Sequence, residues 1–185
     1  MEPGSRWKRD VLPFVAFSLT YVALFVGVPP VPLCAVGACV LNPRPEAFLL
    51  AAALPFGTMA IVGVSAGVLS GALLYEAIHP TGITYIDATV AAAAFLVACF
   101  SGRWVFRRVG AWPGAVAATL VITGAVTAIL GSYALGLRGI GVPEAIIDVF
   151  AEAFIPINIA GALFLALFPL RKRRVESPFA SREIR

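Results

Sequence analysis

TMAIVGVSAGVLSGALLYEAI, running from Thr58 to Ile78, is the stretch on which the fold turns. At about 1.5 Å per helical residue, an apolar run of about 20 residues matches the roughly 30 Å hydrocarbon core of a bilayer. Similar blocks recur on either side: Val11 to Val28, Ile86 to Gly102, Trp112 to Leu137 and Ala153 to Leu170. A further block, Val31 to Phe56, is long enough but is interrupted by Asn42-Pro43-Arg44-Pro45-Glu46. Lipid admits only helices and closed barrels, and no alternating strand pattern of the barrel kind is present. The expectation is an all-α integral membrane protein, a bundle of six transmembrane helices spanning residues 11–170.

Composition agrees. Of 185 residues, 60% are hydrophobic and 13% charged, and a water-soluble domain carries about twice that charged fraction. The net charge of +4 is not spread as a nucleic-acid surface would require. Arg6, Lys8 and Arg9 lie in a basic cap (residues 1–10). Arg171, Lys172, Arg173, Arg174, Arg182 and Arg185 lie in a polar tail (residues 171–185), and Arg103, Arg107 and Arg108 sit in one link. Basic residues at helix ends mark the cytoplasmic side. Both termini and that link are expected inside, in a multi-pass cell-membrane protein. Four crossings before residue 103 and two after it satisfy this.

The N-terminus reads as an uncleaved signal anchor. Val36-Gly37-Ala38-Cys39 resembles a lipoprotein cleavage box, but the apolar stretch before it is far longer than a signal peptide's and holds several prolines. Cys34, Cys39 and Cys99 have no zinc-type spacing and read as buried small hydrophobes.

Within Thr58–Ile78, Gly63, Gly67 and Gly71 recur at every fourth position, a smooth face that lets another backbone approach closely. Its partner is a helix of this chain or of another protein. Ala94 and Ala98, with Gly102, repeat the spacing in the fourth segment. Thr119, Thr123 and Thr127 share a face of the fifth, where threonine bonds its own backbone by default and lines a polar cavity only if it faces inward.

Ionisable groups at membrane depth are costly, so each is a candidate functional site. The acids between residues 11 and 170 are Glu46, Glu76, Asp87, Glu144, Asp148 and Glu152. On the six-crossing topology they gather toward the outer side with Arg44, His79 and Arg138. Glu144, Asp148 and Glu152 share one face by their spacing of four. Glu152 lies deepest and precedes Pro156, which should loosen the last helix, and Asn158 must satisfy two donors and an acceptor. Arg44 and Glu46 either pair with each other in a surface loop or belong to a loop that covers a solute. Asp87 is expected to cap the fourth helix. His79, alone beside Pro80, gives no basis for a metal site, and no metal or cofactor is expected.

Phosphate-loop, HExxH and Ser-His-Asp signatures are absent. No enzymatic activity is expected, and ATP-driven transport would need partner subunits.

Arg44-Pro45-Glu46-Ala47, Leu54-Pro55-Phe56, Ile61-Val62-Gly63 with Gly67, and Thr81-Gly82-Ile83 with Asp87 together resemble the substrate-binding (S) components of energy-coupling-factor (ECF) transporters. The chain is most similar to their queuosine-precursor (QueT-type) group, over residues 11–170. The last helix departs from that group by carrying Ala151-Glu152 for its Gly-Glu pair. The first helix offers Ala16 and Thr20, with Ala23 offset, for its scaffold-docking alanines. The resemblance implies capture of a small vitamin-like or modified-base (deazaguanine) precursor from the outer face. It also implies a separate scaffold subunit and two cytoplasmic ATPases. The residues expected to contact the substrate are Arg44, Glu46, Asp87, Glu152 and Asn158. Those expected in helix packing or partner docking are Gly63, Gly67, Gly71, Ala94 and Ala98. Two rivals use the same residues differently: a small membrane enzyme acting on a lipid headgroup through the acids, and an assembly protein using the Gly and Ala faces alone.

Overall fold

The computed structural model describes residues 3–28, 33–35, 38–41, 44–109, 111–137 and 155–167. Four long helices form the frame: α1 (Pro3–Gly27), α3 (Thr58–Ile78), α4 (Tyr85–Val109) and α5 (Ala111–Leu137). Between α1 and α3 lie two short strands, β1 (Leu33–Ala35) and β2 (Ala38–Leu41), and the five-residue α2 (Phe48–Ala52). The last described element is a π-helical turn, Ile155–Gly161, which runs into α6 (Ala162–Leu167).

The long helices are apolar on both their inward and their outward faces. In α3, Ile61, Val64 and Val68 are buried while Met59, Leu74 and Ile78 are exposed. In α4, Ala94, Ala98 and Cys99 face in while Val97, Phe100 and Trp104 face out; in α5, Leu120 faces out opposite Ile122 and Val126. A bundle in water would place charge on that outer surface. Thr58–Ile78, Tyr85–Val109 and Trp112–Gly136 are long and apolar enough to cross a membrane, and Val11–Gly27 and Pro156–Leu167 are shorter apolar stretches.

Side-chain contacts fix the direction of each helix. Gly63 meets Phe14, Gly67 meets Ser18 and Tyr21, and Gly71 meets Val22 and Phe25, so α1 and α3 run parallel. A Cβ on Gly67 would stand 2.7 Å from that of Tyr21, and one on Gly63 would collide with the carbonyl oxygen of Phe14. The glycine face of α3 is therefore occupied by α1 of the same chain. Arg103 near the end of α4 donates to Thr58 Oγ1 at the start of α3 (2.9 Å), so α3 and α4 are antiparallel. Gly102 packs on Ala118 and Ile122, and Tyr133 reaches Asp87, which makes α4 and α5 an antiparallel hairpin. Ala94 and Ala98 are buried within the bundle. Asn158 meets Thr123, and Gly161 meets Thr119, so the last segment runs antiparallel to α5.

Because α1 and α3 are parallel, the chain between them must return to the starting end. The sequence counts Val31–Phe56, interrupted at residues 42–46, as one of the six crossings, and here the structure departs from it. β1 and β2 pair antiparallel, Leu33 with Leu41 and Ala35 with Ala38. The return is then completed by a 3₁₀ turn (Pro45–Ala47), α2, and a second 3₁₀ turn (Leu54–Phe56). Those twelve residues span on the order of 20 Å, less than a bilayer core. Proline is the cause: Pro45 and Pro55 lack amide donors, so each α-helical turn stops within a few residues. The stretch survives inside the bundle because protein covers it, with Leu50, Ala51, Ala53 and Leu54 fully buried.

Candidate functional site

Two irregular stretches meet in the core, one carrying Glu46 and the other Asn158. The 3₁₀ turn at Pro45–Ala47 packs against the π-turn Ile155–Gly161, and both α2 and α5 contact that π-turn. Pro156 lies within this turn, where the sequence predicts a loosened helix, and the bonding there is of the i→i+5 kind in place of i→i+4.

Glu46 is 2% exposed, an unusual position for a carboxylate. Arg44 stands 3.5 Å from its Oε1 and is itself 34% exposed, so the pair links the buried turn to the surface. The Arg44 guanidinium lies over the Phe25 ring, 5.1 Å from its centroid, which orients the cation by its attraction to the π face. Of the two alternatives left by the sequence, pairing is what the geometry gives, but burial of Glu46 takes it out of a surface loop.

Asn158 Nδ2 donates to Thr123 Oγ1 at 2.7 Å. Thr119 and Thr123 are buried, and Thr119 Oγ1 donates back to the carbonyl of Val116 (2.9 Å). Thr119 thus bonds its own helix, as threonine does by default, whereas Thr123 accepts across the bundle from the π-turn.

Asp87 has a different environment. It occupies the third position of α4, and the N-cap is Thr84: Thr84 N donates to Asp87 Oδ2 (2.6 Å), while Asp87 N donates to Thr84 Oγ1 (3.2 Å). This reciprocal capping box corrects the simpler expectation that Asp87 is itself the cap. Its other oxygen, Oδ1, accepts from the Tyr133 hydroxyl at 2.6 Å, joining the first turn of α4 to the last turns of α5.

The loop between α3 and α4 is organised by Glu76. Its carboxylate accepts from Thr81 N (2.8 Å), Thr81 Oγ1 (2.6 Å), Gly82 N (2.9 Å) and Ile83 N (3.0 Å). Gly82 adopts φ of 84°, a conformation that disfavours side chains. The Thr81-Gly82-Ile83 motif is thereby explained as the cradle of a carboxylate from the preceding helix.

Phe25 packs against Tyr75 and Tyr75 against His79, which puts the Arg44–Glu46 pair at the same end as that loop and Asp87. Arg103, Arg107 and Arg108 stand at the other end, beside the start of α3. Glu152, Glu144 and Asp148 lie outside the described residues, as does the Ala151 position. Among the described residues no group of three His, Cys, Asp or Glu side chains is placed to hold a metal ion. No family model, curated protein or solved structure matches this chain.

Proposed function

We propose that this protein is a membrane-embedded solute-capture subunit of the energy-coupling-factor kind, taking up a small modified-base precursor from the outer face of the cell membrane. The observation that carries the reading is the buried Glu46 carboxylate. It sits on a turn of broken backbone, packed against a second broken turn that holds Asn158. In a membrane protein such backbone is tolerated where it is covered by protein or lines a cavity, and buried charge there belongs by default to a functional site. Glu46 accepts from N–H groups, and an amide such as Asn158 donates and accepts. Together they complement the edge of a deazaguanine, and a charge-assisted bond to the carboxylate holds such a ligand more firmly than a neutral one.

In this reading Arg44, Glu46 and Asn158, with Glu152 of the last helix, contact the solute. Asp87, shared between Thr84 and Tyr133, holds the mouth of the α4–α5 hairpin. The arginines at the opposite end of the bundle support a cytoplasmic position for that end and for both termini. A scaffold subunit and two ATPases, separate chains, would supply the energy. Since the glycines of α3 are engaged by α1, the docking surface we assign to the scaffold is the outward face of α1, where Ala16, Thr20 and Ala23 are exposed. Mass spectrometry of small molecules that co-purify with the protein tests the reading. A bound purine-like base supports it, and a lipid-headgroup product would favour an enzyme instead.

A further inference from the structure

A groove opens on the outer surface of the α4–α5 hairpin, lined by Phe100, Ser101, Trp104, Val105 and Val121. It lies at the end of the bundle opposite Glu46, Glu76 and Asp87. Phe100 and Trp104 are exposed along it, so its walls are apolar and open to the surroundings. Ser101, Trp104, Val105 and Arg108 share one helical face by spacing, which places Arg108 at the groove's end. The Arg108 guanidinium is held 4.0 Å over the Trp104 ring, and Arg107 beside it is exposed.

We propose that this groove seats an acyl chain of an anionic phospholipid whose phosphate is bound by Arg108 and Arg107. The occupant follows from charge and depth together. Phe100 to Val105 lie one to two turns in from the end of α4, about 6–13 Å along the axis, where the upper part of an acyl chain runs below its headgroup. Arginine binds phosphate with a planar fork of donors, and an interfacial tryptophan packs its ring on lipid while keeping its N–H at the polar boundary. The proposal rests on the membrane character of the bundle and is independent of solute capture.

The test uses the full-length protein with Trp104 as its one tryptophan (Trp7→Phe, Trp112→Phe), reconstituted in phosphatidylcholine vesicles. Brominated phosphatidylglycerol or brominated phosphatidylcholine is titrated in as quencher. The expected result is half-maximal quenching at about fivefold lower mole fraction of the anionic lipid, abolished by Arg108→Gln and kept by Arg173→Gln in the tail. Equal quenching by the two lipids, or a preference that survives Arg108→Gln, would overturn the proposal alone. No quenching by either would overturn it together with the membrane reading.

Discussion

Asn158 on the π-turn donates a 2.7 Å hydrogen bond to Thr123 at the middle of α5, and this bond joins the irregular part of the chain to its regular frame. Within a low-dielectric bundle, losing either group removes a bond that water does not replace. Asn158→Leu and Thr123→Val are each expected to cost about 1 kcal/mol, with a coupling energy of about 0.6 kcal/mol between them. Denaturant titration of the single and double variants in detergent measures both. Strict additivity would mean that the bond contributes nothing.

The glycine stripe of α3 is unequal in what it tolerates. Gly63→Ala and Gly67→Ala drive a methyl group into the backbone of α1 and are expected to destabilise the bundle by about 1–3 kcal/mol each. At Gly71 the nearest atom to a new Cβ is 3.6 Å away, an ordinary contact. Gly71→Ala should therefore be neutral or slightly stabilising, given alanine's better helix propensity. Thermal unfolding of the three variants separates the positions.

Asp87 serves the helix cap and Tyr133 at once. Asp87→Ala should lower stability by about 1–2 kcal/mol, and Tyr133→Phe by about 1 kcal/mol. Neither should alter solute affinity by more than about threefold, since in this account their task is to hold the α4–α5 mouth. A stable Asp87→Asn protein that had lost binding altogether would move Asp87 into the site.

Glu76 orders its loop through a carboxylate that accepts from three successive backbone amides. Glu76→Gln keeps the shape but loses the charge and one acceptor. Hydrogen exchange at Thr81, Gly82 and Ile83 should then quicken, with protection of the α3 core at Val64 and Val68 unchanged.

Much of this architecture is legible in the sequence because its long helices are apolar along their whole length. Length and hydropathy alone locate α3, α4 and α5, and Gly63-xxx-Gly67 announces a close helix contact. The contact's partner, α1, was not legible, because parallel packing depends on the path of the returning chain. Hydropathy marks Val31–Phe56 as one crossing interrupted at residues 42–46, while Pro45 and Pro55 confine its helical part to short turns. Tyr133 carries a signal of its own. Once α4 and α5 form a hairpin about residue 110, Asp87 and Tyr133 fall at matching distances from the bend. Glu46 and Asn158 stood out individually as polar residues in apolar surroundings. The turns that carry them meet because two proline-broken segments pack together, which no local pattern encodes.

Whether Glu46 anchors a captured base is decided by calorimetric titration of the purified protein with 7-deazaguanine. Saturable binding to the native protein is expected, with at least a tenfold weaker association for Glu46→Gln and unfolding of the variant still cooperative. Equal affinity of the native and Glu46→Gln proteins, or no binding to the native protein, would contradict it.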